Sequence, residues 1–397
     1  MKYCIVIMDG AAGWPLPQQG GKTSLELVRT PNLDAMVPAG VLGLARTVPP
    51  GMEPSSACAC MSVIGYDPQV YYRGRAGIEA RSLDIDIGDD EVVFRCNLVA
   101  VRDGKMWSYS SGYISTGEAR DLIAALNEGL GSDKVRFYPG VSYRHICKLK
   151  GHAGALSAEY TPPHDITGKP VAEFLPRGQG SEVLLDLMAR SEAVLKDHPV
   201  NQARRERGEI PATMIWLFWG SRRLPDMPAF KQVYGLDAVM TSGVDLLRGL
   251  ARMAGMSVLD IPGVTDIIDT DYAAQAIGAL EALETHDMVV VHIEAPDEVA
   301  HDGNVEAKVA AIQNIDREVV GRLRAYRQDA LRLLVMPDHP TPIETRTHTD
   351  EPVPFLLWGP GFTSNGAARL TEAEAGKTGF FLPEGCKIVG RLISAGR

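Results

Sequence analysis

Cysteine is scarce and shows no pairing pattern: six occur in 397 residues (Cys4, Cys58, Cys60, Cys96, Cys147, Cys386), with no CxxC pair. Cys58 and Cys60 stand too close in sequence for an ordinary disulfide framework, so the chain reads as a protein of a reducing cytoplasm. Long apolar runs are also missing. Nothing is long and apolar enough to span a bilayer, and the opening apolar run, residues 3–8, stops at Asp9, short of a secretory core. No membrane partner is expected. Net positive charge is lacking as well: 40 Lys and Arg against 50 Asp and Glu leave −10, which argues against a nucleic-acid partner. A small anionic substrate stays open, because a metal site sets its own local field. The nucleotide and esterase signatures GxGxxG and GxSxG are absent, and GGKT at 20–23 has Leu16 where a P-loop needs its first glycine.

What is present is a globular composition, 45% hydrophobic and 23% charged, long enough for two or three cored domains. KYCIVIMDG reads as a buried parallel strand ending in Asp-Gly. SSACACMSVIGYD reads as a helix whose N-terminus could sit at a ligand. From residue 80 to 168 the pattern changes. EVVFRCNLVAVRDGKMWS alternates around an Asp103-Gly104 hairpin turn. An amphipathic helix follows, opened by Ser-Thr-x-Glu in GYISTGEARDLIAALNEGL. VRFYPGVSYRHICKLKG and ALSAEYTPP then read as two further strand-like runs. Beyond it TMIWLFWG, AAQAIGALEALET, DMVVVHIEA, a helix over 304–327, LRLLVMPDHP and PVPFLLWGPG alternate strand and helix. The expectation is an α/β fold with a doubly wound, mostly parallel sheet, formed by residues 1–79 plus 169–397. A smaller α+β domain, residues 80–168, is inserted into it.

Seven residues in five short segments make a set that two divalent ions could share: Asp9, Ser56, Asp297, His301, Asp338, His339 and His348. Hard ions want carboxylate oxygen, and borderline ones such as Mn²⁺ or Zn²⁺ also take imidazole. Asp297 and His301 lie one helical turn apart just after the strand DMVVVHIEA. Asp338-His339 leaves the strand RLLVM, and an α/β sheet places its ligands at such strand exits. Each has a plain alternative. The acidic start at Asp297 suits a solvated helix end, and Ser55-Ser56 suits an N-cap. A helix N-terminus nevertheless also favours phosphate. Arg75, Arg95, Arg144, His145, His164, Asp165 and Lys169 are candidates for binding an oxyanion, with a structural role as the equal alternative for each.

The order Asp, Ser, Asp-x-x-x-His, Asp-His, His resembles the alkaline phosphatase superfamily. The segments MDG, RTPNLDAM, MSVIGYDP, YYRGRAGIEA, FRCN, YRH, TPPHDITGKP, HPVNQARRERGEIPA, DEVAHDG, DHPTP and HTDEPVPF make the chain similar to archaeal-type cofactor-independent phosphoglycerate mutases over nearly its whole length. That resemblance implies an alkaline-phosphatase-like fold and transfer of a phosphoryl group through phospho-Ser56, interconverting 3-phosphoglycerate and 2-phosphoglycerate without 2,3-bisphosphoglycerate. It implies two divalent ions, Mn or Mg with Zn or Co as further options. One would be held by Asp297, His301 and His348, the other by Asp9, Ser56, Asp338 and His339. The inserted domain would bind substrate and act as a lid. Three positions depart from the family pattern: Ala57 replaces an acid beside the nucleophile, Tyr113 replaces a histidine, and Ala12-Gly13-Trp14 lacks an acid. Asp-His-Pro-Thr-Pro and the Ile-Trp segment also resemble a bacterial branch proposed as homoserine kinases. A divergent member that binds metal with lost or changed activity is the third alternative. The expected partner is a small phosphorylated substrate, and the sequence leaves a homo-oligomer open.

Overall fold

The computed structural model describes residues 1–326 and 330–395. In chain order its strands are β1 (Lys2–Met8), β2 (Val41–Ala45), β3 (Glu91–Arg102), β4 (Lys105–Ser108), β5 (Val135–Tyr138), β6 (Arg144–Lys150) and β7 (Met214–Arg222). They continue as β8 (Ala238–Thr241), β9 (Ser257–Leu259), β10 (Met288–Ile293), β11 (Leu331–Met336), β12 (Val353–Trp358) and β13 (Phe381–Leu382). The chain divides into two compact units, 1–72 with 226–397 and 73–225.

The first unit is built from both chain ends around an eight-stranded sheet ordered β13-β2-β12-β11-β1-β10-β8-β9. At its centre β11, β1, β10 and β8 run parallel, and β12 is antiparallel to both β11 and β2. Residues 3–8 are buried without a break, as a strand covered on both faces requires. The fold is therefore α/β with a mostly parallel sheet. The helix expected from residue 304 runs as Val305–Asn314, a π-type segment Ile315–Val320 and Gly321–Ala325; Arg327 lies outside the described residues.

The second unit is wider than the expected 80–168 insertion at both ends. Its five-stranded sheet is antiparallel, with β3 central between β6 and β7, β5 outside β6, and β4 on the C-terminal end of β3. TMIWLFWG, expected in the α/β sheet, is β7 and pairs with β3 here, Asn97 opposite Trp216. The helix Arg75–Ser82 packs against the same sheet through Ala76 and Ala80, beside Val93 and Ile146. The other face is covered by the helices Thr116–Leu130 and Glu182–Lys196, whose Leu122, Leu126, Leu184 and Leu187 meet Phe94, Cys96 and Leu98. ALSAEYTPP forms no strand; it is a 3₁₀ turn, Ala153–Ser157, followed by one isolated bridge at Glu159. The hairpin turn is as its residues dictate: Asp103 and Gly104 both have positive φ, +53° and +71°, the geometry that matches strand twist.

Candidate active site

Three adjacent parallel strands end together. Ile7 of β1 pairs with Met336 of β11 and Met8 with Ile293 of β10, so the residues that follow them, Asp9, Asp338 and the turn into the helix Ala295–His301, leave the sheet side by side. Asp297 and His301 share one face of that short helix, their Oδ2 and Nε2 atoms 3.1 Å apart. His348 enters from a loop, its Nε2 3.0 Å from His301 Nε2 and 3.5 Å from Asp297 Oδ2.

A second cluster adjoins the first. His339 Nε2 stands 3.4 Å from Asp9 Oδ1, 3.3 Å from Asp338 Oδ2 and 3.2 Å from Ser56 Oγ. Ligands bound about 2.1 Å from one ion lie about 3.0–3.4 Å apart, as edges of an octahedron or tetrahedron, so both groups have the spacing of a coordination shell. The plain N-cap alternative is met by Ser55, whose Oγ accepts from Cys58 N. Ser56 is thereby the first helical residue, buried, with its hydroxyl turned to the histidine.

The electrostatics point the same way. Burial, then the charges of Asp338, Glu294 and Asp297, push the Asp9 carboxyl well above its usual range. Asp9 Oδ1 is buried and accepts no hydrogen bond among the described residues. A positive charge is what this pocket lacks, and an orphaned buried acceptor is costly unless an ion satisfies it. Burial likewise lowers His339 to about 4 and His292 to about 4, keeping both imidazoles neutral and leaving His339 able to ligate. At the other cluster burial would raise Asp297, but the imidazoles of His348 and His301 outweigh it and hold it well below its usual range. The residues present fit two divalent ions.

Four supporting residues were missed by sequence reasoning. His292, within β10, sets its Nε2 2.7 Å from Asp9 Oδ2 and its Nδ1 3.0 Å from Ser242 Oγ. Thr341 donates to Asp297 Oδ1 at 2.5 Å, and Thr47 to the Asp338 carbonyl at 2.5 Å. Lys308, fully buried, donates to the carbonyls of Ala12 and Thr341 at 3.0 and 2.8 Å. A histidine in an apolar strand or a lysine in a helix carries no local signal of such a role. The only available hint was the position of His292 two residues before a strand exit.

The candidates for anion binding all lie in the second unit and separate into groups. Arg75 and Arg95 both reach Glu79, Nε to carboxylate at 2.8 and 3.1 Å, and stack over Trp219 at 4.9 and 5.3 Å. Burial lowers the Arg95 guanidinium to about 10. Burial would raise Glu79, yet Arg95 and Arg75 outweigh it and lower the carboxyl. His164 adjoins the same aromatic wall, 5.6 Å from Trp219 and 6.1 Å from Tyr109. Arg144 lies opposite Asn97 on β3 and acts on Glu79 electrostatically. His145 does not join them. It alternates with Arg144 onto the face of Cys96 and Cys147, in the apolar core, where its Nδ1 accepts from Gly140 N at 3.0 Å. Asp165 Oδ1 lies 3.8 Å from His164 Nε2, and Lys169 Nζ donates to the Asp165 carbonyl at 2.9 Å, within its own loop. Tyr113 is exposed and hydrogen-bonds Tyr109, hydroxyl to hydroxyl at 2.8 Å.

The profile described as 2,3-bisphosphoglycerate-independent phosphoglycerate mutase matches residues 38–201. A curated protein of that name from Methanothrix thermoacetophila is 46% identical over 100% of both chains. The chain belongs to the 2,3-bisphosphoglycerate-independent phosphoglycerate mutase family. A family member from Methanosarcina barkeri is 42% identical, again over 100% of both chains. Among bacteria, a probable 2,3-bisphosphoglycerate-independent phosphoglycerate mutase of Geobacter sulfurreducens is 43% identical over 99% of this chain and 100% of that one. The solved cofactor-independent phosphoglycerate mutase of Thermoplasma acidophilum shares the fold, with a TM-score of 0.63 at 24% identity over 99% of each chain.

Proposed function

We propose that this member of the mutase family interconverts 3-phosphoglycerate and 2-phosphoglycerate through a phosphorylated Ser56, without 2,3-bisphosphoglycerate. The observation that carries the reading is Ser56 Oγ lying 3.2 Å from His339 Nε2, on which Asp9 and Asp338 also converge. Asp297, His301 and His348 would hold one divalent ion, and Asp9, Asp338, His339 and the Ser56 oxygen the other. Bound there, the ions lower the pKa of the serine hydroxyl and neutralise the transferring phosphoryl oxygens. Mixed carboxylate and imidazole ligation suits Mn²⁺, Zn²⁺ or Co²⁺, and Mg²⁺ less readily.

Ser56 Oγ forms a bond to phosphorus as the bond to the glycerate oxygen breaks; the other glycerate hydroxyl then takes the group back. The Ser56 backbone N–H lies in the first turn of its helix and favours the phosphoryl oxygens. Within the second unit Arg75, Arg95 and Arg144, each over an aromatic ring, gather an excess of positive charge around Glu79 of the kind that a glycerate carboxylate needs. Among the described residues no helix is long and apolar enough to cross a membrane.

The test offers metal-loaded protein 3-phosphoglycerate alone, and homoserine with ATP in parallel. Formation of 2-phosphoglycerate, a trapped phosphoserine at residue 56, and loss of both in Ser56→Ala with metal retained are expected. Turnover of homoserine but not of 3-phosphoglycerate would replace the mutase reading with the kinase one.

A further inference from the structure

We propose that Cys60 is a thiolate ligand of the Asp9–Asp338 metal site and biases that site toward thiophilic divalent ions such as Zn²⁺, Co²⁺ or Cd²⁺. The proposal rests on the metal-site reading above and adds a fifth donor to it. Cys60 lies four residues after Ser56 on the helix Ser56–Val63, so both project from one face, one turn apart. The serine reaches His339 and the cysteine reaches the residue before it, with Sγ 3.3 Å from Asp338 Oδ2. A sulfur bound at about 2.3 Å and an oxygen at about 2.1 Å on one ion lie about 3.1–3.6 Å apart, which brackets that distance. The ligand atoms of Asp9, Cys60 and His292 all fall within 4.8 Å of one another. His292 is engaged on both nitrogens, by Asp9 and Ser242, which makes it a positioning residue. The remaining pair, the thiol and the carboxylate of Asp9, faces the site. Independently of the cysteine, Asp9 Oδ1 is a fully buried acceptor with no hydrogen bond, the mark of a missing cation at that point.

Cys58 shows what a merely packed cysteine looks like on the same helix: it sits against Val48 and Ala59 in a small apolar cluster. Cys60 instead meets carboxylates. Binding an ion there breaks the S–H bond, the proton leaves to solvent, and the sulfur lone pair forms the bond to the metal. Soft thiolate ligation favours Zn²⁺, Co²⁺ and Cd²⁺ over Mn²⁺ and Mg²⁺.

The experiment loads the full chain with Co²⁺ and reads sulfur-to-cobalt charge-transfer absorption in the near ultraviolet. The band is expected in the wild type and in Cys58→Ser and is expected to vanish in Cys60→Ser. In competition, Cys60→Ser should shift the Zn²⁺-over-Mn²⁺ preference toward Mn²⁺ by at least about tenfold. Stoichiometric Co²⁺ without the band in the wild type would overturn the role of Cys60 while leaving the site intact. Failure to bind Co²⁺ at all would overturn both.

Discussion

His292 and Asp9 face each other from neighbouring strands, Nε2 to Oδ2 at 2.7 Å, both wholly buried. The far nitrogen of the ring meets Ser242 Oγ at 3.0 Å, and that oxygen in turn accepts from Val244 N at 3.0 Å. An ionised Asp9 carboxylate can only accept, which places the ring proton on Nε2 and leaves Nδ1 to accept from the Ser242 hydroxyl. A carboxylate–histidine pair of this kind fixes one oxygen of Asp9 and leaves the other, Oδ1, for an ion. Replacing His292 with Phe should therefore weaken metal binding about 10–100-fold without removing any ligand. Calorimetric titration with Mn²⁺ checks it, and unchanged affinity would show the pair to be mere packing.

Gly10 makes a second, sharper demand. Its φ is +59°, and a Cβ placed there would lie 2.3 Å from Asp297 Oδ1 and 2.7 Å from Thr341 Oγ1. Those two atoms are already hydrogen-bonded at 2.5 Å, so neither can yield without losing the other. Gly10→Ala should displace Asp297 and abolish binding of one ion of the pair, with about 1–2 kcal/mol of added backbone strain. Metal stoichiometry after dialysis should fall from two ions toward one; full retention of both would refute the geometric argument.

The second unit carries its own pH dependence through His145. Burial, then the charge of Arg144, lowers its imidazole from 6.5 to about 3, so the folded state disfavours the protonated ring. A depressed folded value means that its contribution is complete above the unfolded pKa and declines as pH falls from about 6.5 toward 3. His145→Gln, which keeps an acceptor for Gly140 N, should flatten that part of the curve. Denaturant unfolding of wild type and variant at pH 7 and pH 5 tests it. The wild type should lose more stability than the variant between the two, and equal losses would exclude a buried neutral histidine.

What could be read in the sequence follows from range. Asp9, Asp297 and Asp338 each end an apolar run, and a polar residue at the end of a buried parallel strand is a local signal of a strand exit. The convergence of these acids with His301, His339, His348 and Ser56 was therefore legible before any coordinates. The extent of the second unit was not, because β7 pairs with β3 across more than a hundred residues and its apolar run looks like any strand of the main sheet. His145 was misplaced because a one-residue step along a strand reverses the face, and nothing in YRHICKLK says which face the helices cover. Lys308 was invisible for a different reason. In NVEAKVAAI it looks like the solvated position of an amphipathic helix, and only the carbonyls waiting beneath it make burial tolerable.

That lysine gives the last prediction. Its Nζ bridges Ala12, just beyond Asp9, and Thr341, just beyond His339, and so ties together the two loops that carry the ligands of one ion. Burial lowers the ammonium to about 8, a cost offset by its bonds to the two carbonyls. Lys308→Met keeps the volume and removes the donor; the Ala12 carbonyl keeps its bond from Thr341 N at 3.1 Å, so the expected loss is not a cavity term but about 1–3 kcal/mol for the stranded Thr341 carbonyl. Chemical denaturation measures it. If stability fell and metal affinity did not, the bridge would serve the fold alone. A fall in both, with Mn²⁺ restoring part of the lost stability by mass action, is the result expected if the loops are held for the sake of the ions.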